Sequence, residues 1–231
     1  HEYGTCLRMN LLNPWIGEIT VVTDSKGMSK KRALNDLLAK TKIRRISSRP
    51  KFNELFNIAN ESDKQLTIIA NGDVFFDDTL RFVTMIDWQK EKRWLHITRR
   101  EASWDCDLGY NYSTINSSDQ QLCQQQFQGS SDSWIFKTPI SLFAKDVEIG
   151  TGYCDHMVSW AAEKNGYKVY NPCLDIAVWH MHSGRNSSVS NVKVKAAETK
   201  TSQRRWIEFN IMGMAEDYMV PYCKIDKLLK K

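Results

Sequence analysis

Short β-branched runs and amphipathic stretches alternate along the first third of the chain. The opening of the chain reads as a helix with Leu7, Leu11 and Leu12 on one face, broken by Asn13-Pro14. Residues 19–23 (Ile-Thr-Val-Val-Thr) read as a strand ending at Asp24. Ser29 caps a basic helix through Lys40, with Ala33, Leu34, Leu37 and Leu38 inward. Residues 43–46 form a short strand, and residues 52–60 a helix with Phe52, Leu55, Phe56 and Ala59 at helical spacing. Residues 65–70 form a third strand, leading into Asn71-Gly72-Asp73. Three strands separated by two helical stretches predict a parallel sheet with Rossmann-like winding.

The pattern changes after residue 80. Residues 93–98 and 134–136 read as strands, whereas the polar stretch 101–126 reads as a surface excursion with little periodicity. A helix is predicted from Asp155 to Asn165, stopped by Gly166, followed by strands at 167–170 and 175–180. Residues 200–231 carry basic charge and no clear period.

Composition changes this picture little. The 231 residues are 42% hydrophobic and 26% charged, as in a globular chain, and no apolar run approaches the ~18–20 residues of a membrane span. The net charge of +5 suits anionic ligands, but the lysines and arginines are too scattered for a nucleic-acid stripe. Six cysteines lack any Cys-x-x-Cys pair, which argues against structural zinc and leaves their redox state open. Asn-x-Ser sequons start at Asn60, Asn111, Asn116 and Asn186, so cytoplasmic and secretory settings both stand.

Candidate chemistry gathers at strand ends. Asn71-Gly72-Asp73, followed by Asp77 and Asp78, places carboxylates just past a strand, where open α/β sheets bind ligands. Mg²⁺ or Mn²⁺ is commonly held there by one or two carboxylates and substrate phosphates, although the same residues also make a good solvated turn. Asp24 closes another strand and fits either a base or ribose contact or a turn cap. Asp155 opens a helix, as a general base or as its N-cap. His180 and His182, two apart on a strand, share one face and fit metal ligation or packing.

Taken in order, these residues resemble a known family. Asn71-Gly72-Asp73 after a strand resembles the Asp-x-Asp metal motif of GT-A-fold glycosyltransferases, with Asn first. Gly152-x-x-Asp155, a helix to Asn165-Gly166-Tyr167, then Pro172 and His180/His182 resemble the later half of the inverting, family-2-like enzymes. In those enzymes a Glu-Asp pair is followed eleven residues later by Gly-Tyr. Asp155 and Gly166 have this spacing, with Cys154 in place of the Glu. Residues 128–136, which include Asp132, resemble an acceptor- or donor-side strand of bacterial and large-virus members. The resemblance covers roughly residues 5–185.

It implies a single GT-A Rossmann-like α/β sandwich with a mostly parallel central sheet flanked by helices, its first strand lying before residue 1. The nucleotide-binding half would span about 1–100 and the acceptor half about 101–199, with a basic tail over about 200–231. The implied activity is metal-dependent transfer of a sugar, with inversion, from a nucleotide-sugar such as a UDP-sugar to the hydroxyl of a glycan or other acceptor. Mn²⁺ or Mg²⁺ would be held by Asp73 with His180 or His182, and the nucleotide by Asp24, Arg49, Lys51 and the Asn71-Gly72-Asp73 turn. Asp155 would be the base, with Asp132 the second candidate or a sugar-hydroxyl anchor. Two other classes fit parts of the pattern. A nucleotidyltransferase would also use strand-end carboxylates and Mg²⁺ but should carry a Gly-rich basic phosphate loop; a non-catalytic sugar-binding module would show no metal-dependent nucleotide binding.

Overall fold

The structure is a computed structural model that describes residues 2–24, 39–105, 109–111, 131–142, 144, 147–151, 153–181, 220 and 223–230. It is a mixed α/β protein. In chain order the elements are α1 (Glu2–Leu12), β1 (Thr20–Asp24), β2 (Lys42–Ile46), α2 (Phe52–Asn60), β3 (Leu66–Ala70) and β4 (Val74–Phe76). After a 3₁₀ turn at Asp78–Arg81 come α3 (Phe82–Met85), β5 (Arg93–Thr98), β6 (Arg100–Asp105), β7 (Gly109–Asn111) and β8 (Ser131–Lys137). The remaining elements are α4 (Cys154–Lys164), β9 (Lys168–Tyr170), β10 (Val178–Met181) and a 3₁₀ turn at Ile225–Lys227.

The principal sheet has the order β3-β8-β5-β9, and a second has the order β4-β10-β6-β7. The expected mostly parallel sheet is corrected here. β8 lies between β3 and β5 and runs antiparallel to both, although β5 and β9 are parallel. Both faces of β5 and β8 are buried, so neither strand shows the in-out alternation of a half-exposed strand, and nothing local encodes their direction. β1 and β2 are parallel, as expected, but form a ladder of their own. Asp24 and Asp73 therefore end strands of separate ladders rather than of one sheet edge.

Packing follows from strand alternation. Trp134 and Phe136 of β8 and Trp94 of β5 face α2 and α4, where Phe52, Phe56, Met157, Val158, Ala161 and Ala162 complete the core. Trp94 stacks on Phe136 at 5.2 Å, and Phe52 meets Trp134 edge-on at 4.8 Å. Ile135, Leu95 and Ile97 face the other way, onto Val74, Phe76, Ile176 and Val178, and so join the two four-stranded sheets. Beyond the second sheet, α1 buries Cys6 against Phe75, Trp179 and Met181. The expected leucine face of α1 is wrong: Leu12 is 69% exposed, and Asn10 and Asn13 fix the helix instead. Asn10 Nδ2 donates to the Val74 carbonyl and its Oδ1 accepts from Phe76 N–H, while Asn13 Nδ2 donates to the Phe76 carbonyl. Hydrophobic periodicity cannot register a helix docked through amides on strand backbone.

Two further expectations change. Part of the polar stretch 101–126 is sheet, because β6 and β7 pair antiparallel. Its 3.6- and 2-residue periods are weak because this ladder includes the edge of the second sheet. The C-terminal tail is partly structural. Cys223, Ile225 and Leu228 are buried in the core between the sheets, and the Leu228 carbonyl accepts from Arg93 Nη1 at 2.6 Å. The expected helix over 29–40 lies largely outside the described residues. No helix among the described residues is long and apolar enough to cross a membrane.

Candidate functional site

The ends of β3 and β5 and the start of β8 meet because β8 is antiparallel to both neighbours. Asn71, Arg99 and Asp132, far apart in sequence, converge there. Asp132 is the extra residue of a β-bulge: Ile97 pairs with Ser133 and Thr98 with Ser131, leaving Asp132 between them. A bulge re-aims the side chain it frees. Asp132 Oδ1 accepts from Asn71 Nδ2 at 2.6 Å and Oδ2 from Arg99 Nη1 at 2.6 Å, and its carbonyl accepts from Asn71 N–H at 2.9 Å. Burial pushes the Asp132 carboxyl up from its ordinary range; the Arg99 bond and charge oppose this, and the Asp73 charge adds to it.

Asp73 sits in the turn between β3 and β4. Its carbonyl accepts from Met181 N–H at 2.9 Å, which ties the turn to β10, and its Oδ2 is 3.5 Å from His180 Nε2. Its buried Oδ1 has no hydrogen-bond partner among the described residues. Burial raises the Asp73 carboxyl, but the His180 bond and charge, helped by Arg99, hold it below the ordinary value. Val178 and His180 alternate onto one face of β10, so His180 belongs to the layer that Val178 shares with Ile135 of β8. Two more buried hydroxyls without partners belong to Ser131 and Ser133 of β8; the bulge between them breaks the alternation, so Ser133, paired with Ile97, shares the face of Ile135, whereas Ser131, paired with Thr98, lies on the other. Orphaned buried polar atoms are uncommon and call for a ligand or water.

Asp155 is not the N-cap of α4. That place belongs to Tyr153, held in the left-handed region at φ 63°. Asp155 lies in the first turn, 7% exposed; its Oδ2 accepts from Ser131 N–H and its Oδ1 from His156 N–H, each at 3.0 Å. The carboxylate therefore ties α4 to the residue preceding Asp132. Beneath it, Ser159 Oγ accepts from Trp94 Nε1 at 3.1 Å and lies 2.8 Å from His96 Nδ1. The His96 ring stacks on His156 at 5.7 Å.

Burial, aided by the His156 charge and opposed by Asp155, pulls the His96 imidazole down to about 3. The unfolded chain takes up this proton near 6.5 and the folded chain only near 3, so the stability it contributes is present above 6.5 and is lost as pH falls. Unfolding by denaturant between about pH 7 and 4 should show a slope of up to about 1.4 kcal/mol per pH unit from this group, and His96→Gln should flatten it by one proton.

Other expected site residues lie elsewhere. Asp24 ends β1 opposite Ile46. Arg49 Nη1 donates to the Gly150 carbonyl at 3.2 Å, and Lys51, which precedes α2, bridges Glu148, so both border the segment leading to α4. Asp77 and Asp78 are structural: Asp77 caps the 3₁₀ turn and accepts from Trp179 Nε1 at 2.9 Å, and Asp78 pairs with Arg81. Asn60 holds the Ile140 backbone through both ends of its amide, at 2.7 and 2.8 Å. His182 lies outside the described residues, as do the side chains of the other three sequon asparagines. Cys173 is disulfide-bonded, whereas Cys6, Cys154 and Cys223 are free.

Among the described residues no three His, Cys, Asp or Glu side chains form a cation cage. The donor set that remains, the unpartnered Asp73 Oδ1 beside His180, fits a cation that draws most of its shell from phosphate and water, as Mg²⁺ does. Compared with known proteins, the chain matches no family model and no curated protein.

Proposed function

We propose that this protein is a divalent-cation-dependent glycosyltransferase of the GT-A type, moving a sugar from a nucleotide-sugar, a UDP-sugar in the first instance, to an acceptor hydroxyl with inversion. The observation that carries the reading is the desolvated, unpartnered Asp73 Oδ1 at the end of β3, next to His180 and within the field of Arg99. Bound to Asp73 and His180, Mn²⁺ or Mg²⁺ would supply charge neutralisation for the departing diphosphate. The remaining roles belong to the chain itself. Arg99 adds positive charge beside the same carboxylates, where phosphate oxygens gather. Asp132, held between Asn71 and Arg99, would orient a sugar hydroxyl. Asp155, fixed by two backbone N–H groups, takes the acceptor proton.

The reading is tested by thermal shift with UDP, GDP and CMP, each with and without Mn²⁺. Stabilisation only when nucleoside diphosphate and Mn²⁺ are both present is expected, since a ligand that binds the folded state alone raises its stability. No shift with any pair rejects the reading and favours a non-catalytic module. Asp24 is proposed to grip the base or ribose, so Asp24→Ala should weaken UDP and UDP-sugar equally. Normal UDP affinity in that variant would remove Asp24 from the nucleotide site.

A further inference from the structure

α1 brings an aromatic ring to the Asp73 turn. Tyr3 is 61% exposed, yet its ring lies against Gly72: a Cβ on Gly72 would stand 3.0 Å from Tyr3 Cδ1 and 3.4 Å from Cε1. Gly72 does not occupy the left-handed region, so backbone conformation does not explain the glycine. What it provides is room for the ring. The mount is firm, because Cys6 is fully buried one turn along α1 and Asn10 and Asn13 bind β4 backbone. Cys6 is close enough to Asp73 that the carboxylate's charge adds to burial in pushing its thiol up to about 12. A large aromatic face left in water beside a half-buried carboxylate is poorly explained by packing.

Resting on the glycosyltransferase reading, we infer that Tyr3 is the platform for the donor's hexose, with its ring against the C–H face of the sugar, and that Gly72 is a glycine to admit that ring. The choice of hexose over nucleobase follows from connectivity. A cation held by Asp73 would draw the rest of its ligands from the donor's phosphates. The hexose is joined directly to the β-phosphate, whereas the base is separated from it by the α-phosphate and the ribose. A ring one residue from Asp73 therefore meets the sugar first. Tyr3 adds specificity for the conjugated donor over the bare diphosphate, as aromatic side chains lining ligand clefts do.

The test compares calorimetric affinities for UDP, UDP-glucose, UDP-galactose and UDP-N-acetylglucosamine in the presence of Mn²⁺. Tyr3→Ala should lose about three- to tenfold in affinity for whichever conjugate the wild type prefers, with UDP affinity unchanged, and Tyr3→Phe should retain it. Gly72→Ala, which pushes the ring aside without deleting it, should give the same selective loss and add none in a Tyr3→Ala background. Equal losses for UDP and its conjugates, or none for either, overturn the platform while leaving the enzyme reading intact. A wild type that binds no nucleotide with Mn²⁺ overturns both.

Discussion

Asp73→Ala should abolish Mn²⁺-dependent UDP binding in a protein that remains folded. The two halves of this expectation have separate causes. Binding is lost because Asp73 is the one carboxylate in the cluster with an oxygen left over: Asp132 has both oxygens engaged by Asn71 and Arg99, and Asp155 has both engaged by backbone N–H groups. The loss should exceed the about 10–100-fold typical of disturbing a metal's outer-shell partners. The fold is kept because the hydrogen bond that ties this turn to β10 runs through the Asp73 carbonyl, which the substitution leaves in place. Removing a desolvated carboxylate with an unmet oxygen should shift stability by no more than about 1 kcal/mol. Titrating UDP into both proteins with Mn²⁺, and again with EDTA, reads the first half; a denaturant melt reads the second. Unchanged metal-dependent affinity in Asp73→Ala would sink the assignment.

The second large effect concerns the chemical step. Asp155→Asn should lower kcat by about 10²–10⁴ with little change in donor affinity, because a base acts in the transition state. The substitution also touches structure. Asp155 accepts from Ser131 and His156 N–H groups, and an amide has only one oxygen to offer them, so a stability loss of about 1–3 kcal/mol should accompany the kinetic one. Assays are therefore read well below the variant's melting temperature. Asp132→Asn is the comparison. If Asp132 only orients a sugar hydroxyl, its variant should keep most turnover and show its defect in KM. Collapse of turnover in Asp132→Asn with near-normal turnover in Asp155→Asn would transfer the base role to Asp132, whose carboxyl burial already pushes up. Normal turnover in both would exclude a mechanism that uses either carboxylate as base.

The sequence made legible those features that depend on neighbours along the chain. The helix Phe52–Asn60 has the bounds that Phe52, Leu55, Phe56 and Ala59 announce, and these four residues are its buried face. β5 has the bounds read for it, residues 93–98, and Gly166 stops α4 with a φ of 82°, as a left-handed stop requires. Asp73 at a strand end was readable for the same reason. What could not be read is pairing across distance. Nothing local in Arg99 or Asp132 announces an ion pair between residues 33 apart, nor does the run at 131–137 say that it lies antiparallel between β3 and β5. His96 and Ser159, 63 apart, meet only because α4 packs over β5. Tyr3 belongs to a helix whose docking depends on asparagine amides, a signal that hydrophobic periodicity does not carry.

The placing of β8 also governs how the molecule reaches its native state. β8 pairs with β3 and with β5, so the middle of the principal sheet cannot be built by zipping consecutive strands. Both ladders close loops of many tens of residues, and that entropy is lost before any contact repays it. Folding is therefore expected to be slow, in the millisecond-to-second class of topologies dominated by remote pairings. Asn71, Arg99 and Asp132 meet only in that closing event. The acidic cluster and the completed sheet should appear in a single kinetic phase, and a cation or nucleotide added during refolding should slow unfolding without speeding folding.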